Sequence, residues 1–394
     1  MIPYTRHTIT DEDVRAVTEA LRSSHITRSG HLEAFEQELA SFTGSPYVTA
    51  VSSGTAALYL AFKALGVTGG DRVWGCPNTF AATMNAAVLC GATPDFVDID
   101  WETGNMDLAQ LEKKIQSVPG EELPSAVVVT SFAGRPAALD RLKKLSLQHG
   151  FRLVADQSHA LGGQWKDAGN KWNRVGSCLF ADIEITSFQA SKNMTTGEGG
   201  AVFTRDEQLH RDIRKLRNHG FSTASWQSLF DVEAQAAPDE ETLPRPEVEQ
   251  PGFNFHLTGF QAALGRSQLG RLEERNEVRR RLALRYHSAL QDLKLIYLPP
   301  VQEEKACPTW HLYVIRTPYR WKLFSHLRQN GIHTQIHYPP LHLSQWYRSN
   351  YNFREGEYPI GERHGKEALS LPLYPDLETA EQDQVIEAVR SFFS

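Results

Sequence analysis

The segment SFQASKNMTTGEGG, residues 187–200, begins at the end of a strand-like, largely apolar run that extends over residues 179–188. It places Lys192 between that run and a glycine-rich turn at residues 197–200. Most lysines are solvated surface charges, so a functional role for Lys192 can be inferred only from the residues around it. Small residues let a backbone approach a ligand closely. A lysine amine held in such a turn can form an imine with an aldehyde.

Short apolar runs alternate with helical patterns around this segment. The strand-like runs cover residues 47–51, 73–75, 95–97, 126–130, 152–155 and 201–204, and the helical patterns cover residues 55–65, 107–115 and 139–149. This alternation predicts an α/β fold with a mainly parallel sheet between helices. In such sheets, ligands bind beyond the carboxyl ends of the strands.

The two ends of the chain differ from this middle part. Thr10 is a candidate N-cap for a helix with three acidic residues in its first turn and with apolar Val14, Val17 and Leu21 at helical spacing. Residues 225–251 are acidic and contain four prolines, which predicts a long surface loop or an inter-domain connection.

Beyond that stretch, the pattern of residues 258–290 predicts one long helix or a broken pair. A strand at 311–315 and a helix at 379–393 complete a smaller α/β unit. We therefore expect a large domain over residues 1–250, which includes the N-terminal helix, and a smaller C-terminal domain over residues 251–394.

The composition bounds the function. The chain has 394 residues and a net charge of −6, which argues against nonspecific electrostatic binding of nucleic acid. Its four cysteines lack metal-ligand spacing, so we expect no metal site and a reduced, cytoplasmic setting. No uncharged apolar run of membrane-spanning length occurs and the first residues lack an apolar leader pattern, so we expect neither membrane insertion nor secretion.

Asp156 ends the apolar run FRLVAD, and an acid there is costly to bury unless it is paired. It can cap a helix or form a core salt bridge. It can also hold the protonated pyridine nitrogen of pyridoxal 5′-phosphate (PLP), whose ring then accepts the electrons of a carbanion. His159 can lie beside such a ring, and Phe80, after another strand, can stack on it or belong to the core.

A strand-to-helix transition in VSSGTAALYLAF offers an anion site. Gly54 and Thr55 stand where a helix would begin, and free amides at a helix start bind phosphate. Ser187 can complete this anion site, so that the three residues form a cup for a phosphate. An ordinary βα turn gives the same pattern, and Asn254, close behind a Pro-Gly pair, is equally compatible with a turn.

Together these segments resemble the PLP-dependent sugar aminotransferases of the DegT/DnrJ/EryC1/StrS family. The resemblance covers nearly the whole chain and includes VSSGTAAL, PNTFAAT, FVDIDWETGNMD, ADQSHALGG, SFQASKNMTTGEGG, GFNFHLTGFQAALG and HYPPLHLSQWYR. It implies the fold type I architecture, with a mainly parallel seven-stranded sheet flanked by helices and a smaller C-terminal α/β domain.

The resemblance implies a role for each matching residue. Lys192 corresponds to the catalytic Schiff-base lysine and Asp156 to the partner of the pyridine nitrogen. His159 corresponds to the residue beside the ring and Phe80 to the stacking aromatic. Further implied cofactor ligands are Gly54, Thr55, Ser187 and Asn254, and implied borders of the sugar site are Thr27, Gly30, His337 and Tyr338. Asn254 would reach the phosphate of a neighbouring subunit, which implies a homodimer with shared active sites.

Within the family, the chain is most similar to the 4-aminotransferases of the pseudaminic acid pathway. The resemblance implies transfer from glutamate, or glutamine, to the C4 keto group of a UDP-linked 4-keto-6-deoxy sugar, with pyridoxamine 5′-phosphate (PMP) between the two half-reactions. Gln189 and Ala190 stand where those relatives usually have histidine and proline.

Three other functions are compatible with the sequence. The acceptor can be another nucleotide keto-sugar or a keto-inositol. The protein can be a PLP-dependent sugar dehydratase, although the dehydratases of this fold have a histidine in place of Lys192. It can also bind PLP in a regulatory or structural role, which the intact set of lysine, acid and phosphate cup disfavours.

Overall fold

The computed structural model describes residues 1–27, 30–222, 247–301 and 304–393. Its helices are α1 (Asp11–Arg22), α2 (Gly30–Thr43), α3 (Gly54–Ala64), α4 (Ala81–Leu89), α5 (Leu108–Ser117), α6 (Leu139–His149), α7 (Glu207–Arg217), α8 (Gly259–Leu269), α9 (Leu272–Leu290), α10 (Arg320–Gln329), α11 (Gln345–Tyr351), α12 (Pro359–Glu367) and α13 (Thr379–Phe393). Its strands are β1 (Tyr47–Val51), β2 (Arg72–Gly75), β3 (Thr93–Phe96), β4 (Ala126–Thr130), β5 (Arg152–Asp156), β6 (Gln164–Lys166), β7 (Trp172–Arg174), β8 (Ile183–Ser187), β9 (Gly200–Thr204), β10 (Ala306–Cys307), β11 (Tyr313–Arg316) and β12 (Ala368–Leu371).

Seven strands form the main sheet in the order β1-β9-β8-β5-β4-β2-β3. Strand β9 pairs antiparallel with both β1 and β8, and the other neighbouring pairs are parallel. Strands β4, β5 and β9 are buried along nearly their whole length, as expected for a sheet covered on both faces. The predicted α/β fold with a mainly parallel, seven-stranded sheet is therefore confirmed.

Two apolar layers cover the faces of this sheet. Helices α3 and α4 bury Leu60 and Met84 against one face. Helices α5 and α6 bury Leu111 and Leu142 against the other. Helix α4, which the apolar pattern did not predict, follows β2 and thereby brings its first turn to the carboxyl edge of the sheet.

The long helical pattern after residue 258 forms a broken pair, because α8 ends at Leu269 and α9 begins at Leu272. Helix α8 packs on α1 and α2 and joins the core that surrounds Phe35. A separate C-terminal core forms between α9, α10, α13 and the β11–β12 pair, and Ile2 from the chain start enters it. The division at residue 250 remains a prediction.

Helix α1 confirms Thr10 as an N-cap and adds a detail that the sequence did not show. Thr10 and Asp13 form a capping box, and Asp13 is fully buried against Arg271. In contrast, Val14 and Leu21 on the same helix are 55% and 51% exposed. The acidic loop predicted at 225–251 lies outside the described residues over 225–246. Within the described ranges, no helix is long and apolar enough to cross a membrane.

Candidate active site

Three strands end at the same edge of the main sheet, and a cleft opens there. Strand β5 ends in Asp156 and the parallel strand β8 ends in Ser187. Strand β1 ends in Val51, three residues before the start of α3. The cleft has a volume of about 700 Å³. The predicted site residues that line it are Gly54, Thr55, Phe80, Asp156, His159, Ser187, Lys192, His337 and Tyr338.

The Asp156 carboxylate is buried and accepts two hydrogen bonds. Its Oδ2 accepts from the Thr83 hydroxyl at 2.8 Å, and its Oδ1 accepts from the Ser158 amide at 3.0 Å. Thr83 is held in turn by the Thr79 hydroxyl at 2.9 Å. Both threonines come from the PNTFAAT segment at the start of α4, whose position beside β5 only the sheet order reveals. These contacts fix the carboxylate toward the cleft.

Lys192 ends a tight turn, because its amide donates to the Gln189 carbonyl at 2.9 Å. Burial lowers the pKa of the Lys192 amine to about 8, and the Asp156 charge opposes part of that shift. About a tenth of this amine is therefore neutral at pH 7. Neutral amines are nucleophiles and bases, whereas an ammonium is neither.

His159 lies in a group of buried rings beside Lys192. Its ring centroid is 4.4 Å from that of His311, and its Nε2 is 3.3 Å from the Tyr338 hydroxyl. Burial lowers the pKa of His159 well below its usual range, and the Lys192 and His337 charges add to that shift. His159 is therefore neutral. Its buried Nδ1 has no hydrogen-bond partner among the described residues.

His311, which the sequence did not single out, anchors the residue after Lys192. The side-chain Nδ2 of Asn193 donates to the carbonyl of Thr309 at 3.2 Å and to Oδ1 of Asn276 at 2.8 Å. The Oδ1 of Asn193 therefore faces Nδ1 of His311, 3.0 Å away, so that Nδ1 carries the proton. The Thr309 hydroxyl also donates to the carbonyl of His159 at 2.7 Å.

The start of α3 forms an anion cup against β8. A Cβ added to Gly54 would lie 2.8 Å from the Cβ of Ser187, so no side chain fits at position 54. Ser53 caps the helix by accepting from the Ala56 amide at 3.0 Å. The amides of Gly54 and Thr55 belong to the first turn, where no intrahelical acceptor exists. Such amides bind phosphate.

Three predicted site residues do not line the cleft of this chain. Thr27 is exposed and Gly30 begins α2, on either side of two residues outside the described ranges. Asn254 is exposed and forms an isolated bridge with Asn218. Their assignment to the site remains a prediction.

Other residues of the cleft lining were not predicted as site residues, among them Tyr4, Gln189, Ser191 and Gln335. Tyr4 precedes α1 and reaches His337, with 5.8 Å between the ring centroids. No local pattern identifies such residues, because the cleft is formed by segments far apart in the chain.

Comparison with known proteins identifies the family. The model of the DegT/DnrJ/EryC1/StrS aminotransferase family matches residues 7–390. The chain belongs to this family. It is 35% identical to the spore coat polysaccharide biosynthesis protein SpsC of Bacillus subtilis, over 99% of the chain and 96% of that protein. It is therefore a PLP-dependent sugar aminotransferase.

Solved structures agree with this assignment. PseC of Helicobacter pylori, an aminotransferase of pseudaminic acid biosynthesis, superposes with a TM-score of 0.87 at 28% identity, over 100% of this chain and 99% of that one. The sugar aminotransferase Spr1654 of Streptococcus pneumoniae, in its PLP form, gives a TM-score of 0.86 at 27% identity. The match covers 99% of this chain and 98% of that one. Spr1654 was also solved in its PMP form. The family fold confirms the predicted fold type I.

The residues of this cleft fit PLP. The cup at Gly54 excludes side chains and suits a phosphate. Asp156 is a buried carboxylate aimed at the cleft, and Lys192 is an amine with a lowered pKa. The unpartnered Nδ1 of His159 is available to a polar group of a bound ring. These groups match the phosphate, pyridine nitrogen and aldehyde of the cofactor.

Proposed function

We propose that the protein transfers an amino group from glutamate to the C4 keto group of a UDP-linked 4-keto-6-deoxy sugar, for an amino sugar of a surface glycan. The aminotransferase activity in this proposal is supported by the presence of Lys192, Asp156 and the Gly54 cup in one cleft. The similarity to PseC and SpsC along nearly the whole chain supports the pathway. Pseudaminic acid is the amino sugar that the PseC similarity favours. The cytoplasmic location remains a prediction.

The side chains of the cleft have distinct proposed roles. When bound, PLP supplies an aldehyde for imine formation and a ring that accepts the electrons of a carbanion. The Lys192 Nζ holds the cofactor at rest, removes a proton from the donor α-carbon, and returns a proton to the sugar C4 in the second half-reaction. Asp156 maintains a negative charge opposite the pyridine nitrogen. The Gly54 and Thr55 amides, with Ser187, bind the phosphate.

We further propose a homodimer with shared active sites. Asn254 is exposed and does not line its own cleft, as a residue that serves a neighbouring site would be. No arginine of the described residues lines the cleft, although both substrates carry negative charge. The exposed Val14 and Leu21 on α1 supply apolar surface that a second copy can bury. Thr27, Gly30, His337 and Tyr338 would border the sugar in the complete site.

Other acceptors remain testable alternatives. A dTDP- or GDP-linked keto-sugar or a keto-inositol would use the same residues, because the amino-transfer chemistry does not involve the nucleotide. Lys192 argues against dehydration, because a base that returns a proton to C4 supports an added amine. The sugar product distinguishes the two reactions, since one gains an amine and the other loses a hydroxyl.

The deciding experiment starts from the PMP form. The protein is loaded with PMP, mixed with a panel of nucleotide keto-sugars, and followed by the return of the PLP spectrum. We expect the UDP-linked 4-keto-6-deoxy-N-acetylhexosamine to restore it fastest and to yield a 4-amino sugar by mass spectrometry. A matched panel with Lys192→Ala controls for direct chemical exchange. Faster conversion of a dTDP- or GDP-linked sugar would overturn the proposed substrate and leave the aminotransferase assignment intact.

A further inference from the structure

Gln189 is oriented by its own turn. Its Oε1 accepts from the Ser191 amide at 2.7 Å and from the Ser191 hydroxyl at 2.6 Å. The backbone amide can only donate, so the oxygen of the Gln189 amide must face Ser191. The Nε2 group is consequently turned away from Ser191. No hydrogen bond among the described parts of the chain uses this Nε2.

The position of this group is also fixed relative to the reacting amine. Gln189 and Lys192 are the first and last residues of one tight turn, which the Lys192 amide closes on the Gln189 carbonyl at 2.9 Å. In such turns the two Cα atoms lie within about 7 Å. Both residues line the cleft, and Gln189 is only partly buried. A substrate that reaches Lys192 therefore passes next to the Gln189 amide.

The chemistry of Nε2 selects the kind of group that it can recognise. It is an uncharged donor of two hydrogen bonds, which suits a hydroxyl or carbonyl oxygen. A carboxylate is bound more strongly by charged donors such as arginine, so a neutral amide is a weak choice for the amino-acid substrate. The uncharged oxygens next to the carbon that receives the amine belong to the sugar.

We propose that Gln189 is a specificity-determining residue, whose Nε2 donates a hydrogen bond to an uncharged oxygen of the sugar beside the carbon that is aminated. This inference rests on the proposed function. The two hydrogen bonds from Ser191 hold the amide in place before substrate binds, so little side-chain entropy is lost on binding. Ser191 is accordingly a positioning residue that acts through Gln189.

The test compares Gln189→Met with the wild-type holoenzyme in separate half-reactions. Methionine keeps the length of the side chain but cannot donate. We expect the single-turnover kcat/KM for the keto-sugar with the PMP form to fall about tenfold. This factor corresponds to the free energy of one hydrogen bond lost at a contact that the bound sugar buries. The rate of PMP formation from glutamate should change less than about twofold. Ser191→Ala should give a smaller loss, again only with the sugar.

A binding measurement supports the kinetics. The PLP form has no amino group to transfer to the keto-sugar, so calorimetry with this form gives an equilibrium Kd for the unreacted complex. We expect Gln189→Met to weaken this Kd about tenfold. Gln110→Met, an exposed glutamine on α5 outside the cleft, is the matched control and should leave both values unchanged. The melting temperatures of all variants report their folding.

Two results would overturn the proposal. One is an equal loss in both half-reactions, which would assign Gln189 to the cofactor or to the turn itself. The other is a loss confined to glutamate, which would assign it to the donor. Failure of the proposed function looks different, because the wild-type protein would then prefer another keto-sugar of the panel. The comparison of variant with wild type is then made with that sugar.

Discussion

The two walls of the cleft are built in different ways. One wall is the carboxyl edge of the main sheet, where Asp156 and Ser187 end buried strands and α3 starts shortly after β1. The other wall comes from the C-terminal part of the chain, where His311, His337 and Tyr338 lie in segments next to β11 and β12. In the proposed mechanism, the first wall carries the groups for the bond-making chemistry, and the second covers them.

This difference follows from what each wall requires. A carboxylate that serves a cofactor must be held rigidly, and a strand end provides that rigidity through the backbone pairing of the sheet. The second wall is held by side-chain contacts, such as the 2.7 Å hydrogen bond between His337 and Ser370. Substitutions in the first wall should therefore have larger effects on catalysis than substitutions in the second.

The largest effect is expected at Lys192. The variant Lys192→Ala should lower multiple-turnover transamination on the order of 10³-fold or more, because it removes both the nucleophile and the base. The measurement is the steady-state rate with glutamate and the preferred keto-sugar, together with the visible absorbance after incubation with PLP. A variant that turns over at nearly the wild-type rate would sink the assignment of Lys192.

Asp156→Asn should lower both half-reactions by about 10²-fold, because the asparagine keeps the shape of the side chain but removes its charge. Single-turnover rates with each substrate provide the measurement. Thr83→Val, which removes only the 2.8 Å hydrogen bond to Asp156, should have a smaller effect. Equal effects of the two substitutions would show that geometry matters here rather than charge.

The pH dependence of PLP capture tests the environment of Lys192. The folded apo-protein holds the pKa of Lys192 at about 8, below its usual value, and only the neutral amine attacks the aldehyde. The second-order rate of PLP capture should therefore rise about tenfold per pH unit below that value and level off above it. Stopped-flow absorbance measures it. A midpoint near the ordinary lysine value of 10.5 would contradict the lowered pKa.

Gly54→Ala tests the anion cup. The new Cβ would lie 2.8 Å from the Cβ of Ser187, and such overpacking should weaken PLP binding about tenfold. Absorbance titration of the apo-protein gives the affinity. Gly69→Ala is the matched control, because a Cβ at that position meets no atom within 4 Å. Similar affinities for the two variants would remove the cup from the cofactor site.

The smallest effect is expected in the second wall. Tyr338→Phe removes the hydroxyl that lies 3.3 Å from Nε2 of His159 and should lower the half-reaction rates about threefold. Tyr319→Phe, at an exposed tyrosine, serves as its control. A loss as large as that of Asp156→Asn would mean that the covering wall takes part in the chemistry, and the contrast between the walls would fail.

Much of the first wall could be predicted from the sequence. Strands such as β4 and β5 appear as continuous apolar runs because both faces of the sheet are buried, and the residue that follows each run must lie at the ligand edge. Asp156 and Lys192 were identified in that way, with the family resemblance supplying their roles. The start of α3 was visible because glycine and hydroxyl residues mark a helix N-terminus.

The second wall could not be predicted from local patterns. Nothing near His311 in the sequence indicates that its Nδ1 donates to Asn193, a contact across 118 residues of chain. The exposure of Val14 and Leu21 also differs from what the amphipathic pattern of α1 suggests, since Asp13 occupies the buried side through its ion pair with Arg271. Helical periodicity gives the spacing of a face but does not tell which face is covered.

By itself, the sequence determined the alternation of strands and helices and the family, and it singled out the lysine and the carboxylate that we propose to serve PLP. These features depend on local periodicity and on residues next to strand ends, which a linear pattern records. Only the tertiary structure decided which side chains share the cleft, how Thr83 and Ser158 hold Asp156, and where the Gln189 amide points. Those properties depend on packing between distant segments and on the directions of hydrogen bonds, which residue order does not contain.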